Sequence, residues 1–295
     1  MEFDLSEDQA ALGDAARALL DGYAAPVQVR SHLDSGRPWD DRLWRAMVDQ
    51  GWLAVAVPED RGGLGLSWVE AVVLLEEVGR HAAPAPLLPT MLAASCLADT
   101  PWGGRLAAGE ALGCVGWTGR PDAVVVRAGP GGARLTGRLD PVVAADGADV
   151  AVVWTPDAIF AVDLAACGPP RRQPAMDSTR SLAWLTLDDT PAQRVGGPSE
   201  AAELLDRAAV GAAAEMLGGA ARVLEMSSDY AKERVQFDRP IGSFQAVKHR
   251  CADMVVDVEG MRSSTWYAAW CIAAGDPDRS VAASSAKVWC GDASK

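Results

Sequence analysis

The chain has 295 residues, with 40 acidic and 27 basic side chains and a formal net charge of −13. That balance argues against nucleic acid or an anionic membrane as the main partner, since both need clustered cations. Hydrophobic residues make up 49%, enough for globular cores in two domains and too many for disorder.

The opening MEFDLSEDQAAL is acidic, and no apolar run approaches the roughly 18 residues of a membrane span. A cytoplasmic protein without membrane segments is expected. Residues 3–24, with Asp4 and Ser6 as caps and Leu5, Leu12, Ala16, Leu19 and Leu20 on one side, read as an amphipathic helix. Residues 40–50 read as a second, with Leu43, Trp44 and Met47 inward. Gly51 ends it, and Pro58 with Gly62, Gly63 and Gly65 makes an irregular loop. Ser67 then caps a third helix to Arg80, and a Pro-rich loop leads to a fourth over 91–98.

From Leu112 to about Arg194 the pattern changes. Alternating and β-branched runs (DAVVVRA, ARLTGRL, ADVAVVWT, AIFAVDL, LAWLTLDD) are separated by Gly, Pro and Asp turns, which predicts a small antiparallel β domain between two helical parts. Asp177, Ser178, Thr179 and Arg180 read as a turn with an Asx contact. The six cysteines, Cys96, Cys114, Cys167, Cys251, Cys271 and Cys290, include no CxxC pair, and with three histidines no metal-ligand spacing is present.

The stretch RVQFDRPIGSFQAVKHRCADM, Arg234 to Met254, organises the rest. Ahead of it Leu204, Leu205, Ala208, Ala212, Met216, Ala220 and Leu224 mark a long helix over 201–236, with Arg234 in its last turn. Pro240 forces Arg239 out of the helical region, Gly242 allows a tight turn, and Ser243 caps a second helix running to about Ala274. Arg234 thus lies a few residues from a fresh helix N-terminus, with the Gln245 amide in its first turn, an arrangement that suits a phosphate or pyrophosphate. The competing reading makes Arg234 a complement to a helix C-terminus and Phe237 and Phe244 core anchors. Asp276 and Pro277 start a third helix, over 278–295.

The residues Arg234, Gln236, Phe237, Pro240, Ile241, Gly242, Phe244 and Gln245, with His249, Ala252, Asp253 and Met254 behind them, resemble the signature of the acyl-CoA dehydrogenase family. Trp52, Pro58, Glu59, Gly62 to Leu66, Glu76, Glu77, Gly79 and Arg80 resemble its N-terminal helical domain. The resemblance implies an α+β, mainly helical fold: an N-terminal helical domain over 1–111, a middle antiparallel β domain over 112–197 and a shortened C-terminal helical bundle over 198–295. It further implies FAD as cofactor, an acyl-CoA thioester as substrate, an electron-accepting flavoprotein, and α,β-desaturation in a homo- or hetero-oligomer. Arg234, Phe237 and Gln245 are the positions that would reach the pyrophosphate and adenosine side of a neighbouring subunit's FAD.

Two features depart from the family. The expected Trp-Ile-Ser/Thr step of the flavin bed is absent from LTGRLDPVVAADGADVAVVW, where Pro141 interrupts the strand. The carboxylate base expected on the long helix falls at Ala208, with Glu203 and Asp206 out of phase, so no catalytic residue is assigned; Glu215, Glu225 and Glu233 read as a solvated face. The Gly-Gly motif and last helix that the resemblance leads one to expect are not among these 295 residues. Three readings stay open: a subunit of a heteromeric acyl-CoA dehydrogenase, as in steroid side-chain degradation; a catalytically silent interaction subunit; and a flavin monooxygenase on the same fold.

Overall fold

A computed structural model describes residues 5–118, 120, 123–129 and 132–295; Phe3, Asp4 and Asp122, used above as helix and strand starts, lie outside them. Six helices come first: α1 (Glu7–Tyr23), α2 (Pro26–Ser35), α3 (Asp41–Asp49), α4 (Trp68–Arg80), α5 (Leu87–Cys96) and α6 (Pro101–Ala107). Their starts follow from local chemistry. The Ser6 hydroxyl accepts from Gln9 N at 3.2 Å while Gln9 accepts from Ser6 N at 3.0 Å, and Ser67 and Glu70 make the same reciprocal cap on α4. Asp40 accepts from Arg42 N and Leu43 N. Helices α2 and α6 escape the sequence reading, although each has a proline in its first turn. In α2 only Val29 and His32 are buried, too few for a visible stripe. Helix α5 starts at Leu87 and stops at Cys96, shifted towards the N-terminus from the 91–98 expected.

Nine strands follow: β1 (Gly113–Gly116), β2 (Val124–Gly129), β3 (Gly132–Arg138), β4 (Val142–Val143), β5 (Val150–Thr155), β6 (Ala158–Asp163), β7 (Arg171–Gln173), β8 (Leu182–Trp184) and β9 (Thr186–Gly196). They form a six-stranded sheet in the order β1-β5-β6-β9-β3-β2 and a three-stranded sheet β4-β8-β7. The antiparallel pairing expected of this domain gives way at one edge. There β1 pairs parallel with β5, Cys114 opposite Ala151, because β2, β3 and β4 intervene as the crossover that a parallel pair requires. Pro141 falls between β3 and β4.

Strands β5 and β6 read as continuous apolar runs because both faces are covered. Val150, Val152, Ile159 and Ala161 join the helical core, while Ala151, Val153, Phe160 and Val162 fill a second core between the sheets. This alternation fastens the β region to the helices. The side chain of Trp154 adds a bond, its Nε1 donating to Ala201 O at 2.9 Å.

The chain closes with α7 (Pro198–Glu233), the two-residue strands β10 (Val235–Gln236) and β11 (Arg239–Pro240), α8 (Gln245–Ala274) and α9 (Arg279–Ala293). Helix α7 crosses α4 at backbone contact. A Cβ on Gly79 would stand 1.9 Å from Glu215 O, and one on Gly218 only 1.8 Å from Glu76 O. Neither glycine tolerates a side chain there, and the crossing leaves no gap between the two helices.

Candidate functional site

The first two-thirds of α7 is packed, with Ala201, Leu204, Asp206, Val210, Gly211, Ala213, Ala214, Leu217, Gly218 and Ala221 buried. Beyond Ala221 only Ala231 is, and on the returning helix nothing is buried before Val258. Residues 222–257 therefore form a two-helix arm with almost no core of its own. Its outer surface includes Val223, Met226 and Tyr230, each more than half exposed, and Val255 and Val256.

The tip of this arm carries the predicted residues. Arg234 is the C-cap of α7, in extended conformation rather than in the last turn, so the helix ends earlier than the sequence reading placed it. Its N–H still donates to Tyr230 O at 2.9 Å, and its carbonyl accepts from Ile241 N at 2.8 Å. A hairpin follows, with Val235 opposite Pro240 and Gln236 opposite Arg239. The tight turn comes from Phe237 and Asp238, at φ of 53° and 61°, and not from Gly242. Glycine is needed at 242 for another reason: a Cβ would stand 2.9 Å from Ala231 O, so the start of α8 could not close against the end of α7. Ser243 does not cap α8; it lies in a short turn, Phe244 is the N-cap, and no side chain satisfies the first N–H groups.

Phe237 is 87% exposed, so it is not a core anchor. It meets Phe244 edge-on, ring centroids 6.0 Å apart, and the Arg239 guanidinium lies 4.2 Å over the Phe244 ring. Between Arg234 and Arg250 the sequence places four cations and one acid, Asp238, on a chain that is otherwise strongly anionic. Arg234, Lys248 and Arg250 are exposed and make no ion pair with any described residue. Gln245 stands one turn from His249, Nε2 to Nε2 at 3.4 Å. Arg234 and Gln245 flank one uncapped helix N-terminus, and this gathers a planar five-donor guanidinium, an amide and free backbone N–H groups suited to an oxyanion.

The carboxylates of α7 are committed elsewhere. Glu203 pairs with Arg207 and lies near Arg279, and buried Asp206 accepts from Ser280 Oγ at 2.7 Å and Arg279 Nε at 3.3 Å. Glu215 accepts from Arg180 at 3.0 Å and Glu225 from Arg80 at 2.8 Å, both tertiary partners where a solvated face was expected. The Arg80 bond holds the Glu225 carboxyl below its ordinary range. Ala208 offers no base, and Glu233 is exposed at the arm's end. Asp177 accepts from Thr179 N at 2.9 Å, the Asx turn expected, and the following Arg180 donates to Ala83 O and Glu215.

A cleft of about 440 Å³ between α1, α4 and α8 holds Arg17, Glu76, Glu77, Arg262 and Trp266. Burial pushes the Glu76 carboxyl up against the pull of Arg262. Each arginine there is already bonded to a glutamate. All six cysteines are free, with burial raising Cys96 to about 11. No group of metal-ligating side chains occurs among the described residues, and no described helix is long and apolar enough to cross a membrane.

Comparison with known proteins agrees with this architecture. Residues 6–100 match the family model of the acyl-CoA dehydrogenase N-terminal domain, and residues 196–295 that of the acyl-CoA dehydrogenase C-terminal domain. The acyl-CoA dehydrogenase IpdE2 of Mycolicibacterium smegmatis is 36% identical over 267 residues, 88% of this chain and 76% of the relative. Among solved structures, the ChsE4-ChsE5 complex from Mycobacterium tuberculosis superposes with a TM-score of 0.91 at 31% identity, covering 99% of this chain and 85% of that one. A variant of the steroid ACAD Tcur3481-Tcur3483 gives a TM-score of 0.89 at 34% identity, covering 98% and 84%. With both terminal domains matched and 36% identity to a relative over 88% of its length, the chain belongs to the acyl-CoA dehydrogenase family.

Proposed function

We propose that this chain is one subunit of a hetero-oligomeric acyl-CoA dehydrogenase that desaturates the α,β bond of an acyl-CoA thioester from lipid or steroid side-chain breakdown, in the cytoplasm. FAD, when bound, would accept the hydride from the β carbon and pass electrons to a separate flavoprotein. The part of this chain is to bind and orient: Arg234 meets the pyrophosphate, Phe237 covers the adenosine side and Gln245 adds its amide, all three reaching across to a flavin held mainly by the partner subunit. The α proton goes to a carboxylate that the partner supplies.

The observation that carries this reading is the arm itself, a helical hairpin with almost no core of its own, ending in an exposed Arg234 that makes no ion pair with any described residue. A cation of that kind gives its donors to a ligand that the chain does not itself enclose. The commitment of Glu203, Asp206, Glu215 and Glu225 to ion pairs favours a base from outside. Similar structures include the ChsE4-ChsE5 complex and the steroid ACAD Tcur3481-Tcur3483.

The test is to purify the chain with its genomic-neighbour homologue and read bound flavin from the visible spectrum. Flavin retained by the pair and depleted by Arg234→Ala is expected. Full occupancy in that variant removes the role of Arg234, and an assembly that never takes up FAD makes this an interaction subunit.

A further inference from the structure

The arm has little packing to fix its direction, so its direction must be set where it leaves the body. Both of its helices are gripped there by the same element. Arg80, at the end of α4, forks onto Glu225 of α7, with Nη1 to Oε1 at 2.8 Å and Nη2 on the other oxygen. One turn earlier on α4, Glu76 accepts from Arg262 Nη1 of α8 at 2.8 Å. Arg222 also reaches Glu225, at 3.1 Å, and Glu259 lies 3.5 Å from Arg262, so each pair has an intrahelical second partner. Between the two grips sits the crossing at Gly79 and Gly218, which brings α7 close enough for Arg80 to reach it. From α9, Trp289 packs on Gly260 and its Nε1 donates to Asp257 O at 3.4 Å.

The distances decide why this matters. Nine residues separate Glu225 from Arg234 and seventeen separate Arg262 from Gln245, about 14 Å and 25 Å of helix. A tilt of about 5° at the root would carry the two tip groups by roughly 1–2 Å, enough to break a hydrogen bond whose useful range spans about 0.5 Å. The fork and planarity of the Arg80 guanidinium restrict direction as well as distance, which a lysine there would not do.

We propose that Arg80 and Glu76 are positioning residues through which α4 aims the arm, one ion pair to each of its helices, and so sets where Arg234 and Gln245 meet the flavin. This rests on the reading of the arm given above. In the assembly with its partner subunit, stripped of flavin and titrated with FAD by fluorescence, Arg80→Gln weakens FAD binding by about five- to tenfold. The charge exchange Arg80→Glu with Glu225→Arg restores most of it. Glu225→Gln, at a side chain 44% exposed, carries the same test if Arg80→Gln does not fold. Amide exchange over 226–250 speeds up in the single variants and stays unchanged in β5 and β6, a pattern that general loss of stability would not give. Unchanged FAD affinity in Arg80→Gln or Glu225→Gln, or no recovery in the exchanged pair, overturns the proposal. Arg234→Ala in the same titration separates the two ideas. If it has no effect the flavin role of the tip is wrong; if it weakens binding while the root variants do not, only the aiming is wrong.

Discussion

The two ends of α7 are made of one continuous helix and do opposite things. Its first two-thirds is lined with Ala, Gly and Leu that vanish into contact with α4, α8 and α9; its last third shows one buried side chain, Ala231. Small residues allow backbones to approach, and close approach excludes water and ligand alike. The exposed end contributes little to the fold of a single chain, and its residues are free to be chosen for a surface outside it. Stability and binding are thereby separated along a single element of about 54 Å.

That contrast is most severely tested at the crossing. Gly218→Ala puts a methyl 1.8 Å from the Glu76 carbonyl, and overpacking against backbone should cost about 3 kcal/mol. A urea denaturation midpoint close to that of the parent would show that the crossing yields and that the packed half is not rigid. At the other end, Arg234→Ala should leave the unfolding free energy from urea denaturation within about 0.5 kcal/mol of the parent. The same change should remove a charge-assisted bond worth about 1.5–3 kcal/mol from FAD binding, read by flavin titration of the assembly.

A third test concerns pH. His32 is buried and its Nε2 has no hydrogen-bond partner among the described residues; burial lowers its pKa, with Arg172 and Arg37 adding to this and Asp40 and Asp41 opposing it. The unfolded chain takes up that proton first, near pH 6.5. The stability is therefore fully present above about 6.5 and is lost as pH falls towards the lower folded value. Thermal midpoints at pH 8 and pH 5.5 should differ by less in His32→Gln than in the parent; equal pH dependence would show that other groups dominate the acid response. The smallest effects lie in the turn. Phe237 and Asp238 both hold positive φ, which glycine adopts without strain. Asp238→Gly should gain up to about 1 kcal/mol with FAD binding intact, whereas Phe237→Gly gains similarly and binds FAD less well. Equal binding in both would remove Phe237 from the site.

Much of this was legible from local chemistry. Ser6, Asp40 and Ser67 announce their helices because a cap is a bond between near neighbours, and the β-branched runs of β5 and β6 announce strands. The long helix, its return after Pro240 and the tip residues Arg234, Phe237 and Gln245 were likewise visible as a motif. Helices α2 and α6 were not, because short helices with few buried positions leave a faint period. The turn was assigned to Gly242 when Phe237 and Asp238 make it, since a glycine signals freedom without saying whether the backbone needs an angle or a clearance.

The sequence by itself determined the succession of a helical, a β and a second helical part, the family and the composition of the tip, all of which depend on residues close together in the chain. Only the tertiary structure decided that Glu215 and Glu225 are bound to Arg180 and Arg80, that β1 runs parallel to β5, and that α4 and α7 meet at two glycines. Those contacts join residues tens to more than a hundred positions apart. Their partners are selected by the three-dimensional packing of whole elements, which no local period or spacing records.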